Sequence, residues 1–98
     1  MCCRSEASGV QAMNDIRKLN PEASLEVMQL DLSSISSVNR LADKLCEKEK
    51  IVDILVNNAG VMMCPQTKSK DNFELQFATN HLGLFRTNFG QFDDCEIC

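Results

Sequence analysis

Ile51-Val52-Asp53-Ile54-Leu55-Val56-Asn57-Asn58-Ala59-Gly60 is a short apolar, β-branched run that ends abruptly in turn-forming residues. The run is too short to make a helix by itself, and apolar side chains at successive positions point to both faces of a strand. It therefore reads as a strand buried on both faces, the condition of strands in parallel sheets flanked by helices. That single reading places the chain in the α/β class.

The neighbouring segments agree. Residues 25–30 (Leu-Glu-Val-Met-Gln-Leu) alternate apolar and polar, the period of a half-buried strand, and Asp31-Leu32 closes it. Before it, Val10, Met13, Ile16 and Leu19 recur at helical spacing from Ser5 onward, and Asn20-Pro21 stops the helix because the residue before proline is pushed out of the α region. After it, Ser33 or Ser34 is the expected N-cap of a helix whose apolar face is Ile35, Val38, Leu41, Ala42 and Leu45, with Glu47 to Lys50 as its solvated end. Beyond the loop 61–70, Asp71 and Glu74 form a capping box ahead of a helix with Phe73, Phe77, Leu84 and Phe85 as its apolar positions. The order helix, strand, helix, strand, helix predicts part of a doubly wound, Rossmann-like parallel sheet with two main strands and three helices. One partial domain over residues 1–87 and an irregular tail over 88–98 are expected.

Composition removes several functions. Ten basic and fourteen acidic side chains give a net charge of -4 with no Lys/Arg run, which argues against nucleic acid and anionic membranes as partners. The longest apolar run falls far short of the roughly 18 residues a spanning helix needs. Met1-Cys2-Cys3-Arg4-Ser5-Glu6 turns polar where a secretory leader would be apolar, so the expectation is a cytoplasmic chain. Six cysteines could make a disulfide framework in a secreted chain, a reading that this expectation weakens. Cys95-Glu96-Ile97-Cys98 has the spacing of a redox or metal pair, but no strand and helix place it as thioredoxin-like pairs are placed. Cys64 and His81 show no recognised zinc spacing, so no metal site is expected.

With Asn80-His81-Leu82-Gly83 about twenty residues after Asn57-Asn58-Ala59-Gly60, the chain resembles the middle of a short-chain dehydrogenase/reductase. Asn57 to Pro65 (Asn-Asn-Ala-Gly-Val-Met-Met-Cys-Pro) is most similar to the retinol-dehydrogenase-like branch, and the resemblance covers residues 1 to about 87. It rests on several signals in the family's order: Cys3-Arg4 ending one strand, Asp31-Leu32 ending the next, Asn-Asn-Ala-Gly after the third, and Asn80 in the following helix.

The resemblance implies an NADP-dependent oxidoreductase that interconverts alcohol and carbonyl groups on a small, retinoid- or lipid-aldehyde-like molecule. Arg4 matches the position facing the adenosine ribose, where a guanidinium fork suits a 2′-phosphate; the alternative is a surface arginine. Asp31 could accept from the adenine amino group and the Leu32 backbone N–H could donate to the ring; otherwise Asp31 simply ends a strand. Asn58, Ala59 and Gly60 form the turn that brings backbone to the cofactor, with Gly60 allowing close approach and Asn58 tying neighbouring strands. Asn80 matches the helix asparagine of the catalytic tetrad, whose family role is to hold a water in the proton relay. His81 reads as structural.

The departures bear on activity. Gly9, Gly60, Gly83 and Gly90 cannot make a three-glycine pyrophosphate turn, and the sequence has no tyrosine, so the tetrad's Tyr and the Lys four residues on are absent. Asn80 is the one tetrad member present, and hydride transfer lacks a general acid. The chain as written is expected to be inactive: an internal fragment, a truncated product or an incomplete gene model. The competing class is a non-catalytic interaction module derived from such an enzyme, able to pack on a full-length relative. Strands 25–30 and 51–56, meant for different partners, are expected to lie side by side, with residues 1–4 at most a short edge.

Overall fold

The computed structural model describes residues 1–49, 51–89 and 96–97. It is α/β, and its strands are short and parallel. They divide between two compact units, Met1–Asp31 and Leu32–Cys98.

The first unit is a βαβ arrangement. Strand β1 (Cys2–Cys3) leads into helix α1 (Glu6–Leu19), which returns the chain to β2 (Met28–Gln29) beside β1, with Cys2 opposite Met28 and Cys3 opposite Gln29. Met28 N–H donates to the Met1 carbonyl at 2.9 Å and Leu30 N–H to that of Cys3 at 3.0 Å. The Ser5 side chain caps α1 by accepting from Ser8 N–H, and Asn20 ends the helix where the Asn-Pro step required. Gly9 is the buried point of α1: a Cβ there would lie 2.5 Å from Val27 Cγ1 and 3.3 Å from Cys3 Cβ, so the missing side chain lets the helix backbone settle on the strands. The expected apolar stripe is only partly used, since Val10, Ile16 and Leu19 are exposed.

In the second unit, α2 (Ile35–Lys48) supplies most of the core through Val38, Leu41 and Ala42, joined by Leu32 and Ala78. Ser34 is its N-cap, as expected, but the Ser34 hydroxyl bonds Ser36 Oγ and makes no capping bond. Asp71 Oδ2 accepts from Ile35 N–H at 2.8 Å instead, so a carboxylate distant in sequence closes the α2 N-terminus. The predicted Asp71–Glu74 capping box is corrected accordingly: Glu74 alone caps the later helix, accepting from Gln76 N–H at 2.9 Å and Phe77 N–H at 2.7 Å. Asn72, in the left-handed region at φ 67°, turns the chain between the two acids, a conformation asparagine tolerates better than most residues.

That later helix runs as α3 (Leu75–Phe77), a π-helical turn (Ala78–Gly83) and α4 (Leu84–Phe89). Its expected stripe is also corrected: Phe73, Phe77 and Phe85 are exposed, whereas Ala78, Gly83 and Thr87 are buried. In a straight α-helix residues 78 and 87 would lie about 180° apart. The π turn winds in an extra residue and cuts that angle by roughly half, so both can be buried. Only small residues fit there, because Gly83 rests directly on the Leu32 carbonyl and Thr87 folds its hydroxyl back to donate to the Gly83 carbonyl at 2.7 Å. Arg86 Nε adds a bond to Asn39 Oδ1 on α2 at 3.0 Å.

Strand pairing differs from expectation. The 25–30 strand pairs with β1, not with 51–56, and β3 (Ile51–Val52) pairs with β4 (Glu96–Ile97), parallel in both cases. β2 finds β1 because the α1 crossover delivers it there. The remainder of the 51–56 run is not buried as predicted: Ile54 is 80% and Val56 77% exposed, since among the described residues β4 is the one strand paired with β3. The helix continues to Phe89, past the expected loose end near Thr87, and residues 96–97 form a strand; residues 90–95 and 98, which include Cys95 and Cys98, lie outside the described residues.

Candidate functional site

The best-defined polar construction in the second unit surrounds the turn at residues 57–60. It begins where β3 loses its ladder, and its residues are exposed, with Asn58 N–H donating to the Val56 carbonyl at 3.2 Å. The helix holds it from one side. Asn80 Nδ2 donates to the Val61 carbonyl at 2.6 Å while Asn80 Oδ1 accepts from Val61 N–H at 2.7 Å. This two-point amide grip copies what a strand neighbour would offer one residue, and so fixes the height and direction at which the turn leaves the helix surface. Gly60 lies close against the grip: a Cβ at that position would lie 3.2 Å from Asn80 Oδ1, a tight approach that a small shift of the amide would relieve.

Asn80 sits within the π-helical turn, where the widened backbone re-aims side chains relative to a regular helix. His81 stacks on Phe77 at a 5.2 Å centroid distance and 19° interplanar angle, a packing contact in keeping with a structural role. At the other end of the turn, Asn57 Nδ2 donates to Asn88 Oδ1 at 2.8 Å. Sequence reasoning singled out neither Asn88 nor the tie that Asn57 makes to it. The available signal was propensity: Asn80 and Asn88 are both weak helix formers placed within one helix.

Other sequence-predicted residues are placed as follows. Leu32 is buried in the second unit with its carbonyl against Gly83. Gly60 lies beside Asn80, and the exposed Asn58 and Ala59 precede it in the same turn. Arg4 and Asp31 belong to the first unit, where the exposed Arg4 follows β1 and its carbonyl accepts from Gln29 Nε2 at 3.4 Å.

By residue type the chain suits only part of a dinucleotide. Arg4 carries a guanidinium able to pair with a phosphate, and Asp31 a carboxylate able to accept from an amino group. No pyrophosphate cradle fits among the described glycines: Gly9 is spent on packing against Val27, and Gly83 on the Leu32 carbonyl. The described residues include no cluster of three or more His, Cys, Asp or Glu able to hold a metal ion. Cys2, Cys3, Cys46 and Cys64 form no disulfide. Desolvation raises the Cys2 thiol above its ordinary pKa, the amino terminus opposing the shift more weakly, so its reactive thiolate is disfavoured although the residue as a whole is exposed. No described helix is long and apolar enough to cross a membrane.

One electrostatic feature supports the helix that carries the site. The backbone N–H groups of Gln76, most strongly, and Phe77 hold the Glu74 carboxyl below the ordinary glutamate pKa. A lowered folded-state pKa contributes stability that is complete above the unfolded value and lost as pH falls through the folded one. Helical signal in the wild type should therefore fall as pH drops through and below the ordinary glutamate range. Glu74→Gln should weaken the helix at neutral pH and shrink that acid-dependent loss in a far-ultraviolet circular dichroism titration. Identical acid limbs in the two proteins would remove Glu74 as the cause.

A family model described as short chain dehydrogenase matches residues 1–90. Retinol dehydrogenase 12 of Mus musculus is 42% identical over 85 residues, covering 87% of this chain and 27% of its own length. Retinol dehydrogenase 13 of Homo sapiens is 44% identical over 85 residues, covering 87% and 26%. Among solved structures, an uncharacterized protein from Mycobacterium Paratuberculosis superposes with a TM-score of 0.79 at 33% identity, covering 99% of this chain and 34% of that one. The chain thus spans about a quarter of the length of the curated relatives it matches. With its parallel βαβ arrangement, the Asn-Asn-Ala-Gly turn and the asparagine that grips it, the chain belongs to the short-chain dehydrogenase family, in its retinol-dehydrogenase-like branch.

Proposed function

We propose that this chain is the cofactor-side portion of an NADP-dependent oxidoreductase that interconverts alcohol and carbonyl groups, with a retinoid- or lipid-aldehyde-like substrate, and that residues 1–98 alone do not catalyse the reaction. The observation that carries the reading is the two-point grip of Asn80 on Val61, at 2.6 and 2.7 Å, which holds the 57–60 backbone exposed and oriented. An exposed, oriented backbone edge ending in the small residues Ala59 and Gly60 suits a flat nucleotide lying against backbone. The names of the retinol dehydrogenase relatives support the substrate class. Arg4 and Asp31 supply the adenosine contacts in this reading, and the guanidinium selects NADP by pairing with the 2′-phosphate.

Calorimetric titration tests the cofactor assignment. Wild type should bind NADP weakly and in preference to NAD, and Arg4→Ala should abolish the preference. Equal affinity of the wild type for the two dinucleotides would take Arg4 out of the site.

A second reading, a non-catalytic interaction module, is favoured by one observation: Ile54, Val56, Met62 and Met63 are all exposed around the same turn, Met63 at 89%. Clustered exposed apolar side chains mark association surfaces. Concentration-dependent self-association or co-purification with a full-length relative, without dinucleotide binding, would decide for it.

A further inference from the structure

Asn88 is an exposed residue near the end of α4 whose amide is oriented by its own helix. Its Nδ2 donates to the Leu84 carbonyl at 2.8 Å. Only the nitrogen of the amide can donate, so this bond turns Oδ1 away from the helix, and Oδ1 accepts from Asn57 Nδ2 at 2.8 Å. Asn57 opens the turn whose far end Asn80 grips at Val61. The segment from Asn57 to Val61 is therefore tied to one helix at both ends.

Helix phase explains how two asparagines eight positions apart can serve one loop. On a straight α-helix they would be rotated about 80° from each other around the axis. Asn80 lies inside the π turn and Asn88 beyond it, and the lower rotation per residue in a π turn removes much of that angle. The π turn thus brings Asn80 and Asn88 closer to a common side.

The geometry points to Asn88 as a second positioning residue for the 57–60 turn, acting through Asn57 on the backbone that the proposed dinucleotide contact uses; this rests on the function proposed above. Asn88 supports the turn without filling the core. An exposed asparagine leaves no cavity when truncated, so its loss should loosen the turn while the helices persist.

The test uses the isotope-labelled 98-residue chain, following the Asn57 side-chain amide by NMR and NADP affinity by calorimetry. Asn88→Ala should move the Asn57 amide signals toward those of a solvent-exposed side chain and weaken NADP binding by roughly three- to tenfold, the range one neutral hydrogen bond supplies. Asn88→Asp keeps an acceptor oxygen for Asn57 but loses the bond to Leu84, its second oxygen turning from that carbonyl to solvent, so it should retain the Asn57 signature and more of the affinity than the alanine variant. A merely structural role would not separate the two variants. An unmoved Asn57 amide in Asn88→Ala, or equal damage by the alanine and aspartate variants, would overturn the assignment. If Asn88→Ala does not fold, Asn57→Ala must reproduce the affinity loss in a folded chain, and its failure to do so also overturns it. A wild-type chain that binds no dinucleotide sinks the proposed function alone; the tether then stands or falls on the Asn57 amide shift.

Discussion

Gly83→Ala is expected to destroy the packing of the Leu32–Cys98 unit. Two effects oppose each other. Alanine is favoured over glycine inside a helix by about 1 kcal/mol. The added Cβ, however, would be driven into the Leu32 carbonyl and also lie 3.0 Å from Leu32 Cβ, with no flexible side-chain end to give way. Overpacking a tight interior typically costs about 1–3 kcal/mol, and collision with backbone belongs at or above the upper end. The clash wins, and domain stabilities of only about 5–15 kcal/mol leave little to absorb it. Thermal and urea unfolding followed by circular dichroism should show a clear loss of stability and of helical signal. Gly60→Ala is the control: its Cβ meets only the Asn80 amide at 3.2 Å, which a small side-chain rotation relieves. Equal effects of the two substitutions, or a stabilised Gly83→Ala protein, would refute the close approach.

The second large effect concerns chemistry. The purified 98-residue chain should show no NADP(H)-dependent turnover of retinoids or other carbonyls above a protein-free control. The sequence contains no tyrosine to act as phenolic proton donor. Positioned general acids contribute typically 10²- to 10⁴-fold, and a weakly held cofactor forfeits the further gain from orientation. The site asparagine does not compensate, because an amide has no proton to give at neutral pH and both ends of the Asn80 side chain are engaged with Val61. Stopped or continuous assays of NADPH absorbance settle the matter. Turnover that disappears in Asn80→Ala would show that the chain carries a proton path of its own.

Much of this architecture was legible from local chemistry. Asn20-Pro21 bounds α1 because the pre-proline restriction acts between adjacent residues. Val38, Leu41 and Ala42 were readable as core because α2 is a regular helix, in which spacing translates directly into direction. The Asn-Asn-Ala-Gly turn and Asn80 were recognisable because those residue types at that separation are distinctive, and the structure does bring them together.

What failed in the sequence reading failed for lack of long-range geometry. Periodicity assumed a straight α-helix over residues 73–85, whereas the helix begins only at Leu75 and a π turn interrupts it; the phenylalanines are exposed and Ala78, Gly83 and Thr87 buried. Asp71 and Glu74 looked like one box because they are neighbours in sequence, whereas Asp71 closes a helix that begins 36 residues earlier. Apolarity marked residues 51–56 as strand material without saying which strand would lie alongside. Sequence by itself determined the α/β class, the α1 and α2 helices, where α1 stops and which family the turn belongs to, since propensity, capping and side-chain chemistry are properties of a few adjacent residues. Tertiary structure alone decided the β1–β2 and β3–β4 pairing, the helix phase and the two amide ties on the 57–60 turn, because each depends on which distant backbone arrives within hydrogen-bonding distance.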